Sequence, residues 1–248
     1  MKIIIFTFLF LPFINNFLSA QSLRENNKSL SFSFGISSCR IQDLYVSANE
    51  YTGSPDFYGL SWIDYDSTME TGFGFQYLKT TSLKNRNTTA TLSELLFGYQ
   101  HLYRVISLHV LSHSVLFFMG PGIEAYVYKR DQHVAYSINR SSDLGGASFT
   151  LQNKLSTYIF PQVESTYNFS VGLLSYASGT RENEYSDRSG MYSPVSFLYI
   201  NSKLGANYYF HKNGFVSVQY QFIYVNTTEF NSLRVISDRL VFTAGVMF

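Results

Sequence analysis

Apolar and polar side chains alternate with a period of two along most of this chain. Between Leu30 and Ile36 every second residue is Leu, Phe or Ile, and the residues between them are Ser or Gly. Successive side chains of a β-strand point to opposite faces, so this pattern predicts a strand with one apolar and one small or polar face. Nine further segments repeat it and together predict an all-β chain of ten strands: Tyr58–Trp62, Phe73–Tyr77, Leu95–Tyr99, Phe117–Val127, Leu155–Val163, Phe169–Leu173, Leu198–Tyr208, Val216–Phe222 and Leu240–Phe248.

The residues on the polar face of these strands favour a membrane barrel over a soluble β-sandwich. It carries Glu, Lys, Arg and Gln, which a hydrated lumen accepts but the core of a sandwich does not accept unpaired. Phe and Tyr near the strand ends are typical of the interfacial girdles of membrane barrels. Charged residues make up only 14% of the chain, against roughly 25% in soluble domains. We therefore predict a single closed antiparallel up-and-down transmembrane β-barrel, with ten strands as the expected count and eight as the alternative.

The first twenty residues have the composition of a secretory signal peptide. Lys2 precedes the apolar run Ile3–Phe13, and the small residue Ala20 suits the position before cleavage. We expect residues 1–20 to be the signal peptide and residues 21–248 to be the barrel domain. Cys39 is the only cysteine, so the exported chain has no internal disulfide.

With these features the chain resembles the small bacterial outer-membrane β-barrels, including the OmpA-type and porin-like families of Bacteroidetes. The resemblance rests on the signal peptide, the alternation, the Gly-Pro-Gly strand Phe118–Tyr126 and the final strand that ends in Phe248. It implies a Gram-negative cell outer membrane as the location, contact with outer-membrane lipid, and handling by periplasmic chaperones and the barrel-insertion machinery. Phe248 corresponds to the C-terminal insertion signal, although Thr243 stands where that signal usually has Gly. The sequence does not indicate an extracellular ligand or nucleic-acid binding.

Strand parity predicts which connections face the outside. Both termini of such barrels normally lie in the periplasm, so the odd connections become external loops. These are the long polar stretches Ser38–Asp56, Lys79–Thr89, Lys129–Gly146 and Ser178–Pro194, whereas short stretches such as Asp64–Thr68 and His211–Gly214 become periplasmic turns. The second strand is short, and the turn around Arg104–Leu111 is poorly defined by the pattern.

The predicted inward faces bring opposite charges into one lumen. The interior of a barrel of eight to ten strands is barely wider than the side chains that fill it, so these charges are expected to form a packed polar network. The favoured function is then a structural or surface-interaction role with a largely plugged lumen, and the alternative is a narrow porin-like channel for small polar solutes. The network residues are Glu70, Glu94, Glu124, Lys154, Glu164, Lys203 and Arg239.

No residue pattern indicates catalysis, a metal site or a cofactor. The five histidines lack the spacing of zinc ligands, and no nucleophile elbow or phosphate-binding loop is present. Omptin-like proteases are ten-stranded barrels with an Asp-x-Asp and an Asp-x-His pair on the external rim, and this chain contains Asp64-Tyr65-Asp66 and Asp131-Gln132-His133. Three predicted strands separate the two motifs, which places them on opposite sides of the membrane. We therefore expect no enzyme and keep the protease as a remote alternative.

Overall fold

The computed structural model describes residues 27–43, 47–85, 88–110, 113–133, 140–181, 188–211, 213–228 and 233–248. The predicted signal peptide lies outside these ranges. Within them, no helix is long and apolar enough to cross a membrane. The strands are β1 (Lys28–Asp43), β2 (Ser47–Gly53), β3 (Asp56–Tyr65), β4 (Met69–Lys84), β5 (Thr89–Val110), β6 (His113–His133), β7 (Arg140–Phe160), β8 (Val163–Arg181), β9 (Arg188–Tyr192), β10 (Phe197–His211), β11 (Gly214–Thr227) and β12 (Leu233–Met247).

These twelve segments form a closed antiparallel ring of ten barrel strands. β1 pairs with β12 along one edge and with both β2 and β3 along the other, so β2 and β3 are two parts of one barrel strand. Ser54 and Pro55 interrupt that strand, and proline cannot donate a ladder hydrogen bond. β9 and β10 are likewise successive partners of β8. The predicted all-β, up-and-down barrel is confirmed, with ten strands rather than eight.

The start of β1 and the C-terminal Phe248 lie at the same end of the ring, which we call the terminal end. The backbone N–H of Lys28 donates to the carbonyl of Phe248 at 3.0 Å, and the N–H of Phe248 donates back at 2.9 Å. The short turn between β3 and β4 is at this end, where the N–H of Asp66 donates to the carbonyl of Met69. The opposite end, at which β1 ends and β2 begins, is the loop end.

The strands extend further toward the loop end than the sequence pattern predicts. The stretch Lys129–Gly146, predicted as an external loop, contains the last residues of β6 and the first of β7. Ser38–Asp56 likewise contains the end of β1 and all of β2, and Lys79–Thr89 contains the end of β4. Ser178–Pro194 contains the end of β8 and all of β9. These four loop predictions are wrong in extent.

Two boundaries at the terminal end also differ from the prediction. The segment Leu155–Val163 crosses a turn, because β7 ends at Phe160 and β8 begins at Val163. The uncertain turn around Arg104–Leu111 is mostly strand, since β5 continues to Val110. Its ladder with β6 shifts register between Arg104 and Ile106, and this irregularity obscures the alternation there.

The sequence pattern misses loop-end strand residues because the polarity of the two faces inverts along strands such as β1. In the terminal half of β1 the outward side chains are Leu and Phe, and the inward ones are mostly Ser. Beyond Ser37 the outward residues become Ser38 and Arg40, while the inward residues become Cys39 and Ile41, both buried. The barrel therefore has a zone with an apolar outside, the belt, and a loop-end extension with a polar outside and an apolar inside.

The belt is a continuous outward apolar surface. Across four neighbouring strands, a row of paired positions holds Phe32, Leu60, Phe75 and Phe97, all of them exposed. Phe34 and Phe242 stack across the β1–β12 seam with ring centroids 5.8 Å apart. Strands β5–β8 contain 22, 21, 21 and 19 residues, whereas about 9–11 suffice to cross a bilayer. The strands are thus long enough to cross a bilayer and to form the extension as well.

Gly120, in the Gly-Pro-Gly segment of β6, allows the β5 backbone to approach β6 closely. A Cβ at Gly120 would lie 1.9 Å from the carbonyl oxygen of His101, whereas a Cβ at Gly74 would meet nothing within 4 Å. We expect Gly120→Ala to lower the free energy of unfolding by about 1–3 kcal/mol, because the two strands must separate. Gly74→Ala is the matched control and should change it by less than about 0.5 kcal/mol. Urea titration of detergent-refolded protein measures both, and equal losses would contradict the packing described.

Candidate functional site

The three predicted lumen cations lie on one row of inward positions. Lys154 on β7 is the register partner of Asn168, which in turn is the partner of Lys203 on β10. Lys203 is the partner of Gln221, and Gln221 is the partner of Arg239 on β12. One wall of the lumen, formed by β7 to β12, is therefore basic.

Three of the four predicted carboxylates lie on the other wall. Glu70, Glu94 and Glu124 belong to β4, β5 and β6 respectively, and all three are buried. The fourth, Glu164, is on β8 near the terminal end. Its carboxylate accepts hydrogen bonds from Ser156, from Asn207 Nδ2 at 2.9 Å and from Tyr209 Oη at 2.7 Å. The lumen thus has an acidic wall that faces a basic wall.

Two ion pairs connect these walls. Lys154 Nζ lies 2.6 Å from Glu70 Oε2, and Gln100 Nε2 donates to the other oxygen of Glu70 at 2.7 Å. Arg239 donates through Nη2 to Glu94 and through Nη1 to Gln76 Oε1 at 2.9 Å. Both pairs are almost fully buried. Buried charges of this kind are tolerated only when they are paired and hydrogen-bonded, as these are.

A chain of amide side chains continues from Arg239 across the lumen. Gln76 Nε2 donates to Gln221 Oε1 at 3.4 Å, and Gln221 Nε2 donates to Asn201 Oδ1 at 3.1 Å. Asn201 Nδ2 then reaches Glu124 Oε1 at 3.5 Å. This chain joins β4, β11, β10 and β6, which are not all neighbours in the ring. It divides the lumen into a terminal-end part and a loop-end part.

Below this chain lies a cavity of about 200 Å³. Lys203 and Glu124 both line it, from the basic and the acidic wall respectively. Direct bonds connect six of the seven predicted network residues. Lys203 has no hydrogen bond or ion pair with any residue in the described ranges, and its charge attracts that of Glu124 without direct contact. The cavity also borders Tyr65, Tyr209 and Phe215 toward the terminal end.

Above the chain the lumen is filled by rings from opposite walls, which we call the aromatic seal: Tyr51, Tyr126, Tyr128, Phe197 and Tyr199. Tyr126 of β6 stacks on Phe197 and Tyr199 of β10, with centroids 5.6 and 6.0 Å apart. All five side chains are buried. Aromatic residues near strand ends predict outward girdles, and that rule does not predict this inward seal. Lys129 was the sequence feature that could have predicted the seal. A charged residue faces outward there, so its neighbour Tyr128 must face inward.

The two acidic motifs lie at opposite ends of the barrel. Asp64 pairs with Lys28 at the terminal end, and Asp131 is the register partner of Thr91 near the loop end. Asp66 accepts from the N–H of Thr68 at 3.2 Å and from the Ser67 hydroxyl at 3.0 Å; these bonds lower the pKa of its carboxyl and identify it as a turn residue. Groups of one catalytic site must lie within hydrogen-bond reach of a shared substrate or water, so the motifs do not form one site.

Comparison with known proteins places this geometry among membrane barrels. No protein-family model matches the sequence, and no curated protein matches it by sequence. The structure is similar to the outer-membrane protease OmpT from Escherichia coli, with a TM-score of 0.53, 10% identity, and coverage of 90% of this chain and 97% of that one. The fold is an outer-membrane β-barrel. The translocator domain of the autotransporter NalP from Neisseria meningitidis gives a TM-score of 0.51, 7% identity, and coverage of 90% and 88%.

Proposed function

We propose that this outer-membrane β-barrel is closed to solutes and has a structural or surface-interaction role, with its loop end outside the cell. The aromatic seal carries this proposal. Rings of Tyr126 and Tyr199, from strands separated by β7 and β8, are in contact in the middle of the lumen. A narrow porin-like channel would need a hydrated path at this level, where buried aromatic rings occupy the space.

The same proposal includes the location and the partners. The belt is suited to outer-membrane lipid, because large apolar side chains face outward over the part of each strand nearer the terminal end. Phe248 is 64% exposed at the end of the last strand, where insertion machinery could bind it. Export with cleavage after Ala20 and escort by periplasmic chaperones complete the proposed assembly route. The loop-end extension, polar on its outside, is the surface for interaction outside the cell.

Single-channel recording tests whether the barrel is closed. Reconstituted wild-type protein is expected to give no stepwise conductance in planar bilayers, because the seal and the Arg239–Glu94 pair fill the lumen. A porin in the same lipid is the positive control for reconstitution. The double variant Tyr126→Ser, Tyr199→Ser should raise the frequency of conducting events by removing both stacked rings. Regular conductance steps from the wild-type protein would contradict the proposal and favour the channel.

A further inference from the structure

Five of the seven predicted lumen charges have a direct charged or hydrogen-bonding partner. Glu70 pairs with Lys154, and Glu94 pairs with Arg239. Glu164 accepts three hydrogen bonds. The remaining two charges, the ammonium group of Lys203 and the carboxylate of Glu124, are not joined to each other. Glu124 accepts a long hydrogen bond from Asn201 at 3.5 Å and lies beside the Tyr199 hydroxyl. Lys203 attracts Glu124 at longer range but has no hydrogen bond or ion pair among the described side chains.

These two charges face the same open space. The cavity that they line has a volume of about 200 Å³, and a water molecule takes up roughly 30 Å³ in the liquid, so about six waters fit. Small barrels normally fill their interior with side chains, yet Gly74 on the acidic wall leaves its position empty. The cavity that both charges line is therefore large enough for an organic molecule of amino-acid size.

The surroundings of Lys203 favour a charged, hydrogen-bonding ligand. Asn168 is its register neighbour on β8 and lines the same cavity, offering an amide donor and acceptor. An ammonium group and a carboxylate in a protein interior, when they do not contact each other, are each stabilised by an oppositely charged partner. Water stabilises such buried charges less well than a charged partner does. A ligand with one charge would satisfy only one of them.

We propose that this cavity binds a small zwitterion, with its carboxylate on Lys203 and its ammonium group on Glu124. The ligand reaches the cavity from the terminal end, past Tyr65 and Tyr209, because the aromatic seal closes the other side. Binding of this kind requires no transport across the barrel. The inference thus goes beyond the proposed closed barrel and does not depend on its role at the cell surface.

Calorimetric titration of the detergent-refolded full chain tests the site. The probes are glycine, 4-aminobutyrate and 6-aminohexanoate, which place the two charges at increasing separation, with hexanoate and hexylammonium as singly charged analogues. We expect one zwitterion to bind in a 1:1 complex at least tenfold more tightly than either analogue. If no zwitterion binds, or if hexanoate binds equally well, the proposal is overturned whatever the conductance of the barrel.

Two variants and one control assign the binding to the named residues. Lys203→Gln and Glu124→Gln should each weaken zwitterion binding at least tenfold, and Lys203→Gln should abolish any residual binding of hexanoate. Lys79→Gln removes an exposed lysine from the outer surface and should leave the affinity unchanged. Faster gel migration of unheated samples verifies that each variant is folded. Affinities unchanged in both lumen variants would place the ligand elsewhere, and the wild-type probe series still tests the proposal if a variant does not fold.

Discussion

Arg239→Met is expected to lower the free energy of unfolding by about 3–5 kcal/mol, which is one of the largest losses that a single change in this chain can cause. The substitution leaves the carboxylate of Glu94 buried without its cation, and it removes the donors to Gln76 and Ser237. Arg239 is also positioned over the ring of Phe57, at 5.4 Å from its centroid. Urea titration in detergent micelles measures the loss.

Two matched variants show whether the stability loss of Arg239→Met comes from the unpaired carboxylate of Glu94 or from lost packing. Arg239→Met combined with Glu94→Leu should recover most of the stability, since a buried ion pair can be replaced by apolar residues at little cost. Arg40→Gln breaks a pair with Asp238 on the outer surface, 3.8 Å apart and partly exposed, and should cost less than about 1 kcal/mol. A double variant as unstable as Arg239→Met alone would show that packing, rather than charge, dominates at this position.

Phe97→Arg is expected to reduce the stability of the inserted barrel by about 2–4 kcal/mol. Phe97 points outward in the belt, is 44% exposed, and lies between Phe75 and Ala125 on the neighbouring strands. An arginine here would place its charge in the hydrocarbon of the membrane. Refolding into lipid vesicles followed by urea titration gives the difference from wild type.

The control variant also introduces an arginine on the outward face of β5, at Thr91. Thr91 is outward on β5, six positions nearer the loop end, and its register partner is Asp131. Thr91→Arg should cost less than about 0.5 kcal/mol, because the position lies in the extension and offers a carboxylate partner. Similar losses at both positions would mean that the boundary between belt and extension is misplaced.

The sequence was sufficient for the belt and for the side chains that face the lumen beneath it. In β1 the apolar side chains Leu30, Phe32 and Phe34 do face outward, and the predicted lumen charges of β4 to β12 do face inward. Periodicity works here because one face contacts lipid and the other contacts polar groups. Register follows directly, since a shift of one residue would move every charge into the membrane.

The loop-end extension could not be predicted by the same rule. Beyond Ser37 the outward residues are polar. A rule that requires outward apolar residues therefore predicts loops there instead of strands. The aromatic seal depends on contacts between β6 and β10, and the separation of Lys203 from Glu124 depends on contacts between the same two strands. Alternation within one segment contains no information about which residues meet across a lumen. The inward charges predicted a packed polar network, whereas in the structure one of its cations, Lys203, faces a cavity.

Closure of the ring between β1 and β12 is the central claim, because the lumen, the seal and the cavity all require it. Ser33 and Thr243 are register partners across this seam, with their hydroxyl oxygens 2.8 Å apart. In a Cys39→Ala background, Ser33→Cys with Thr243→Cys should oxidise to an intramolecular disulfide in the folded protein, because paired positions bring the sulfur atoms within bonding reach. Ser33→Cys with Ser148→Cys, across the ring on β7, should remain reduced. Mass spectrometry that finds the first crosslink alone would support the closed barrel, and its absence, or equal crosslinking in both variants, would contradict it.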